Sequence, residues 1–230
     1  MKKDSFMYPL GKMLIFLMIL GVPFKGIAQG SPETIKDLDG NEYATVKIGI
    51  QVWMEENLKT TKFNDGTAIP LVSNSTAWKT SNTSAYCYYE NDGITNKKTY
   101  GVLYNWFTAT TSTLCPTGWH LPSDEEWATL KSYVGIDAGE KLKEKDTIHW
   151  SDGWMRTEAA NKSGFTALPG GKRDNNGTFH GIRYTGYWWS GTEFDDTTAH
   201  CCTMYFINSL AANLLQNKQN GLSVRCLKNN

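Results

Sequence analysis

Apolar positions follow different rhythms in different parts of this chain, and each rhythm predicts a different kind of segment. Near the amino terminus, Lys2, Lys3 and Lys12 precede a continuous apolar run from Met13 to Leu20, extended by Val22 and Phe24. The run is shorter than the about 20 apolar residues that a membrane-crossing helix needs. Behind it, Gly26-Ile27-Ala28 carries small residues at both positions that a signal peptidase reads. These features predict a removable secretory signal over residues 1–28, cut after Ala28 or one residue later at Gln29. The alternative is an uncleaved anchor or a buried helix. After cleavage no stable membrane span is expected. The absence of a cysteine near the cut argues against lipid attachment through an amino-terminal Cys.

From Leu38 onward the rhythm changes, after a polar lead-in over residues 29–37. Tyr43 to Ile48 alternates as a half-buried strand does, and Gly49 permits a tight reversal into Gln51-Val52-Trp53-Met54, which predicts a hairpin. Residues 60–84 show little periodicity and read as surface loops. Tyr86–Tyr89 and Tyr100–Phe107 are apolar, strand-like segments separated by an Asn91-Asp92-Gly93 turn. Helical spacing appears next: Trp127, Leu130 and Val134 share one face. Ser123 stands three residues before Glu126, the capping-box spacing, and Asp124 and Glu125 fall in the first turn, where the helix dipole favours negative charge. A helix is therefore expected from Ser123 to about Gly135, and its acidic cluster is explained by capping without catalysis. A second, mostly polar helix over Ala138–Lys145 is anchored by Leu142.

The remainder reads as β and loop. Phe165 to Gly171 ends a strand in a turn, Asp174-Asn175-Asn176-Gly177 is another turn, Tyr187-Trp188-Trp189-Ser190 is β-prone, and Leu222–Cys226 is the last strand. No internal repeat or linker interrupts this order. About 200 residues beyond the signal suffice for one domain with a real core.

Composition adds two constraints. Aromatic residues make up 13 per cent of the chain, with nine tryptophans, which suits a loop-rich domain whose flat rings supply burial that few long helices provide. Charge is balanced, with 23 Lys+Arg against 23 Asp+Glu, and no basic block stands out; nucleic acid is therefore not the expected partner. The five cysteines, Cys87, Cys115, Cys201, Cys202 and Cys226, can pair in an oxidising compartment, with one left over. None of the usual metal-binding spacings accompanies them, so no metal is expected from these thiols. The Asn91–Gly93 turn lacks the alternating carboxylates of an EF-hand. A structural calcium assembled with residues from elsewhere stays open, and no other cofactor is expected.

Taken in order, several of these segments resemble the Fibrobacter succinogenes major paralogous domain, a family of exported bacterial proteins. The resemblance rests on Gly40, Tyr43, Ile48-Gly49, Gln51, Trp53-Met54 and Glu56-Asn57-Leu58. It continues through Tyr100-Gly101, Leu103 to Trp106, Cys115-Pro116, Gly118-Trp119-His120, Pro122-Ser123 and Glu126-Trp127. It closes with Gly164-Phe165, Leu168 to Gly171, Trp189-Ser190 and Ser223 to Cys226, so that it spans roughly residues 38–228. That family is in turn similar to formylglycine-generating and C-type-lectin-like folds, which share the Leu121–Trp127 helix opening and the Gly221–Cys226 ending. The resemblance implies an irregular, loop-rich α+β domain over residues 38–230, with one or two short helices, several antiparallel strands and chain ends lying close together. It also implies a Cys115–Cys226 disulfide, the bond between the two cysteines inside family motifs. Neither activity carries over. The adjacent Cys201 and Cys202 lack the spacing of the redox-active pair of formylglycine-generating enzymes, and the sugar-binding strings of calcium-dependent lectins do not occur.

The function expected from the residues is a non-catalytic binding module, periplasmic, on the cell surface or secreted, that recognises carbohydrate or a cell-surface protein. Tyr187 and Trp188, followed by Glu193, Asp195 and Asp196, are the candidate ligand residues, because exposed rings stack on sugar faces and nearby carboxylates accept hydroxyl hydrogen bonds. Strand alternation alone buries one of the adjacent tryptophans; Trp189 is assigned to the core and Trp188 is left between core and surface. A structural role in an envelope assembly is the alternative. Catalysis is not the expected role: His120, His149, His180 and His200 are the only histidines, and no nucleophile motif or phosphate-binding glycine loop accompanies them.

Overall fold

The computed structural model describes residues 34–145, 148–151 and 160–230. The expected signal segment over residues 1–28 and its expected cleavage site lie outside them. Along the chain run β1 (Thr34–Lys36), β2 (Glu42–Ile48), β3 (Gln51–Met54), α1 (Ser75–Lys79) and β4 (Tyr86–Cys87). A 3-10 turn at Tyr89–Asn91 leads to α2 (Gly93–Tyr100), β5 (Leu103–Tyr104), α3 (Trp106–Ala109), β6 (Trp119–His120), α4 (Asp124–Val134) and α5 (Ala138–Leu142). The final third holds β7 (Gly170–Arg173), β8 (Phe179–Ile182), β9 (Thr185–Glu193), β10 (Thr198–Tyr205), β11 (Ala211–Asn217) and β12 (Leu227–Lys228). This is a mixed α/β architecture with short helices. One sheet has the order β1-β2-β3-β12-β6, a second has the order β11-β10-β9-β7-β8, and β4-β5 is a short ribbon. Pairing is antiparallel except between β7 and β9.

The local signals that form α4 are complete. Ser123 Oγ accepts from the Glu126 amide, the Glu126 carboxylate accepts from the Ser123 amide, and Gly135 closes the helix at φ 78°. Trp127 and Leu130 face inward and are fully buried. The hairpin β2–β3 pairs Ile48 with Gln51 across Gly49. Leu142 is buried, as expected for the anchor of α5, although that helix stops at Leu142, because Lys143 turns to extended backbone and donates to the carbonyls of Tyr205 and Asn208.

Several expectations are corrected. Thr34–Lys36, read as part of the lead-in, pair with Ala44, Tyr43 and Glu42 as an edge strand. Residues 60–84 contain a short helix, α1, capped by Asn74, whose side chain accepts from the Ala77 amide. The Asn91–Gly93 turn opens α2, with Asp92 capping the Thr95 amide. The 100–107 segment is divided between β5 and α3, because Asn105 Oδ1 accepts from the Thr108 amide and caps a new helix. No strand ends at Phe165–Gly171; β7 starts at Gly170, and the loop before it packs Phe165 into the core.

Leu222–Cys226 is extended but does not form a ladder. Its backbone bonds a succession of different elements: Leu222 exchanges bonds with Tyr104, the Ser223 carbonyl accepts from Trp189, Val224 accepts from Leu58, and Cys226 accepts from Met54. Only then does the chain join a sheet, as β12. Every residue from Gly221 to Leu227 is buried, so this segment is the seam along which the two sheets meet. The Cys115–Cys226 disulfide fastens it, with Cα atoms 6.0 Å apart and a sequence separation of 111.

Around the seam lies an aromatic cluster. Trp53 of β3 and Trp127 of α4 have ring centroids 4.8 Å apart, Trp53 and Phe165 5.5 Å, and Trp127 and Trp188 of β9 6.5 Å. The Arg225 guanidinium lies 4.2 Å from the Phe165 centroid and is fully buried. It donates to the carbonyls of Phe165 and Thr166 and to Asn57 Oδ1, which also accepts from Trp188 Nε1 at 2.8 Å. Burial lowers the Arg225 pKa to about 9, with Glu56 and Glu55 acting in the opposite direction. Arg173, equally buried, clamps the 60–84 region by donating to the carbonyls of Val72 and Ser73.

Candidate functional site

The expected ligand residues do not converge. Trp188 is corrected to a core residue: it is fully buried, its ring in the aromatic cluster and its indole N–H on Asn57. Trp189 is buried on the other face of the same strand, with its Nε1 donating to the Tyr104 carbonyl. Alternation buries only one of two neighbours when one face is wet, but β9 is an inner strand with apolar clusters on both faces, so both rings are enclosed. Tyr187 is half-buried beneath the Lys172 ammonium, 5.3 Å from its centroid, and burial pushes its hydroxyl pKa up to about 12.

The carboxylates lie farther along β9 and have other duties. At a strand rise of about 3.3 Å per residue, Glu193 stands roughly 20 Å from Tyr187. Glu193 is ion-paired with Lys218, whose ammonium in turn lies over the Trp106 ring. Asp195 shapes the β9–β10 turn by accepting from the Thr197 amide at 2.8 Å, the Thr197 hydroxyl at 2.9 Å and the Thr198 amide at 2.7 Å. Those bonds hold its pKa down to about 2. Asp196 is exposed on the same turn. A carboxyl whose folded pKa is depressed stabilises the fold above its unfolded value, near 3.8, and that contribution fades as pH falls through about 2. Carbon-detected NMR titration is expected to give Asp195 a midpoint near 2, whereas an ordinary midpoint near 4 would mean that the turn bonds are not made.

The arrangement that does converge on a groove lies elsewhere. Gly49 turns the β2–β3 hairpin at φ 63°, and a side chain there would come within 2.8 Å of the Tyr133 ring. The bare glycine therefore lets that ring lie directly on the hairpin. Tyr133 belongs to the last turn of α4, at the edge of the face that buries Trp127 and Leu130, and is 68% exposed. On one side of it is an open groove of about 730 Å³ lined by Ile48, Gly49, Ile50, Ala128, Thr129 and Ser132. On the other side, a groove of about 300 Å³ shares Ile48 and Tyr133 and adds Lys47, Val134, Lys141, Lys162 and Ser163.

Local bonds fix this second wall. Lys141 Nζ donates to the Val134 carbonyl at 3.0 Å, satisfying the end of α4. Ser163 Oγ donates to the Lys141 carbonyl at 2.8 Å and accepts from the Phe165 amide at 3.1 Å, which ties the loop carrying Lys162 to α5. The sequence signal for the site was a tyrosine at the edge of the apolar face of an amphipathic helix, facing a glycine hairpin. Reading only the buried centre of that face missed it.

The histidines are dispersed. His120 bonds the capping carboxylate Glu126 at 2.9 Å, His149 bonds Glu144 at 2.7 Å, His180 lies 3.1 Å from Asp174, and His200 packs edge-on to Phe194. Cys87, Cys201 and Cys202 are buried thiols whose pKa values burial pushes up to about 12, 11 and 12, which keeps them protonated and poorly nucleophilic. Cys201 and Cys202 pair opposite Trp189 and Trp188 and enter separate apolar clusters. Among the described residues, no group of three His, Cys, Asp or Glu side chains is placed to hold a metal ion, and no helix is long and apolar enough to cross a membrane.

Fold and site together define a disulfide-braced, mixed α/β domain with a tryptophan-rich core and an open groove around one exposed aromatic ring. The chain belongs to the Fibrobacter succinogenes major domain family, which matches residues 46–228. No curated protein matches it, and no solved structure does.

Proposed function

We propose that this domain is an exported, non-catalytic module that binds carbohydrate in the groove around Tyr133. The observation that carries the reading is the Tyr133 ring itself, 68% exposed, seated on Gly49 and open to grooves on both sides. A rigid ring offers stacking area at little entropic cost, and the hydroxyls of Thr129 and Ser132 border it as hydrogen-bonding groups. An extracytoplasmic setting, whether periplasmic, cell-surface or secreted, is supported by the signal-like amino terminus and by a disulfide that an oxidising compartment sustains.

We read the fold as akin to the C-type-lectin-like and formylglycine-generating group. Support comes from the first and last described strands sharing one sheet, the capping-box helix and the bridge from midsection to tail.

The test is binding of the purified domain to a glycan array and to insoluble polysaccharides. Tyr133→Ala is expected to weaken glycan binding about ten-fold or more, with an unchanged melting temperature because the ring is exposed. Retention of wild-type affinity by that variant would move the site away from the groove. Binding to envelope proteins with no glycan retained would favour the assembly role.

A further inference from the structure

The two sides of Tyr133 differ in chemistry, and the difference selects among sugars. We infer that the groove takes an anionic glycan, one carrying carboxylate or sulfate groups, with its acid groups on the Lys47, Lys141 and Lys162 side and a sugar face on Tyr133. This deepens the carbohydrate reading and rests on it.

Three lysines from three separate elements, β2, α5 and the 160–164 loop, line one small groove although the chain as a whole carries no net charge. Among the described residues no carboxylate forms an ion pair with any of them, whereas Lys36, Lys59, Lys62, Lys172 and Lys218 each hold a partner. Lys47 and Lys162 are exposed, and Lys141 spends one donor on the Val134 carbonyl. Like charges gathered without counter-ions repel one another, and an anion in the groove relieves that repulsion. The other side of the ring, lined by Ile48, Ile50 and Ala128, supplies no charge. An acidic sugar chain matches both sides, its ring faces against Tyr133 and its acid groups over the ammoniums.

The test uses calorimetric or fluorescence titration of the whole mature domain with three probes: hexagalacturonate, its full methyl ester and a sulfated dextran oligosaccharide. The wild type is expected to bind at least one acidic probe about ten-fold more tightly than the ester, with affinity falling as salt rises. The more tightly held acid identifies whether carboxylate or sulfate is preferred. The double variant Lys47→Gln/Lys162→Gln, both at exposed positions, is expected to lose about ten-fold for the acids, flatten the salt dependence and leave the melting curve unchanged. Equal affinity for acid and ester, or a double variant indistinguishable from wild type, would overturn the anionic assignment while leaving the carbohydrate reading intact. If no probe and no arrayed glycan binds, both fall. If a single-stranded oligonucleotide binds in the groove in place of every glycan, the cationic wall serves a different polymer and both readings are likewise rejected.

Discussion

Replacing both Cys115 and Cys226 by alanine is expected to lower the stability of the domain by about 4 to 5 kcal/mol, the chain-entropy value for a loop of this length. For a domain of this size that corresponds to a fall of roughly 10–20 °C in melting temperature. The reason lies in where the bond sits. Cys226 belongs to the seam, each part of which bonds a different element, and the bridge holds that seam to the stretch just before β6. Without the bond, the unfolded chain regains the freedom of the whole intervening loop. Urea melts of the double variant and the wild type, both without reductant, decide the matter. A difference under about 1 kcal/mol would mean that packing along the seam suffices without the bond.

Arg225→Ala is expected to be similarly damaging, at about 3–5 kcal/mol, although among the described residues no carboxylate bonds its guanidinium. Two effects add. The carbonyls of Phe165 and Thr166 lose a donor in a dry interior, and a cavity opens between Phe165 and Trp188, against which the guanidinium is stacked. Arg225→Met refills most of the volume but supplies no donors, so its loss should be about half as large. The ranking Ala worse than Met worse than wild type, read from chemical denaturation midpoints with an unchanged slope, is the expected result. Equal losses for Ala and Met would assign the whole effect to the hydrogen bonds.

What the sequence made legible follows from how local each signal was. The capping box at Ser123 and Glu126, the Gly49 hairpin and the Asp174–Gly177 turn are written in residues a few positions apart, and all three appear where expected. The Cys115–Cys226 bond joins residues far apart in sequence and was accessible only through the resemblance to a family. α2 was not legible, since its sequence is polar and buries only Asn96; side chains from outside it, Asp92 and Asn57, satisfy its ends. β10 was not legible because it is covered on both faces, so its buried run from Cys201 to Met204 shows no alternation.

The same logic governs the site. Trp188 carried an aromatic signal that the core absorbed, and Asp195 carried an acidic signal that a turn absorbed. Tyr133 gave only a faint signal, because an exposed tyrosine on a helix stands out only when its opposite wall is known. That wall is assembled from β2, α5 and the 160–164 loop, which are distant from one another in sequence.

The most direct test of the binding face is a two-dimensional amide NMR titration of the mature domain with hexagalacturonate, or with the tightest glycan found on the array. The account predicts shift changes at Gly49, Ile50, Thr129, Ser132 and Tyr133 on one side of the ring and at Lys47, Lys141, Lys162 and Ser163 on the other, with the Tyr187 and Asp195–Asp196 amides unmoved. Shifts centred on the β9–β10 turn, with the Tyr133 groove silent, would contradict it.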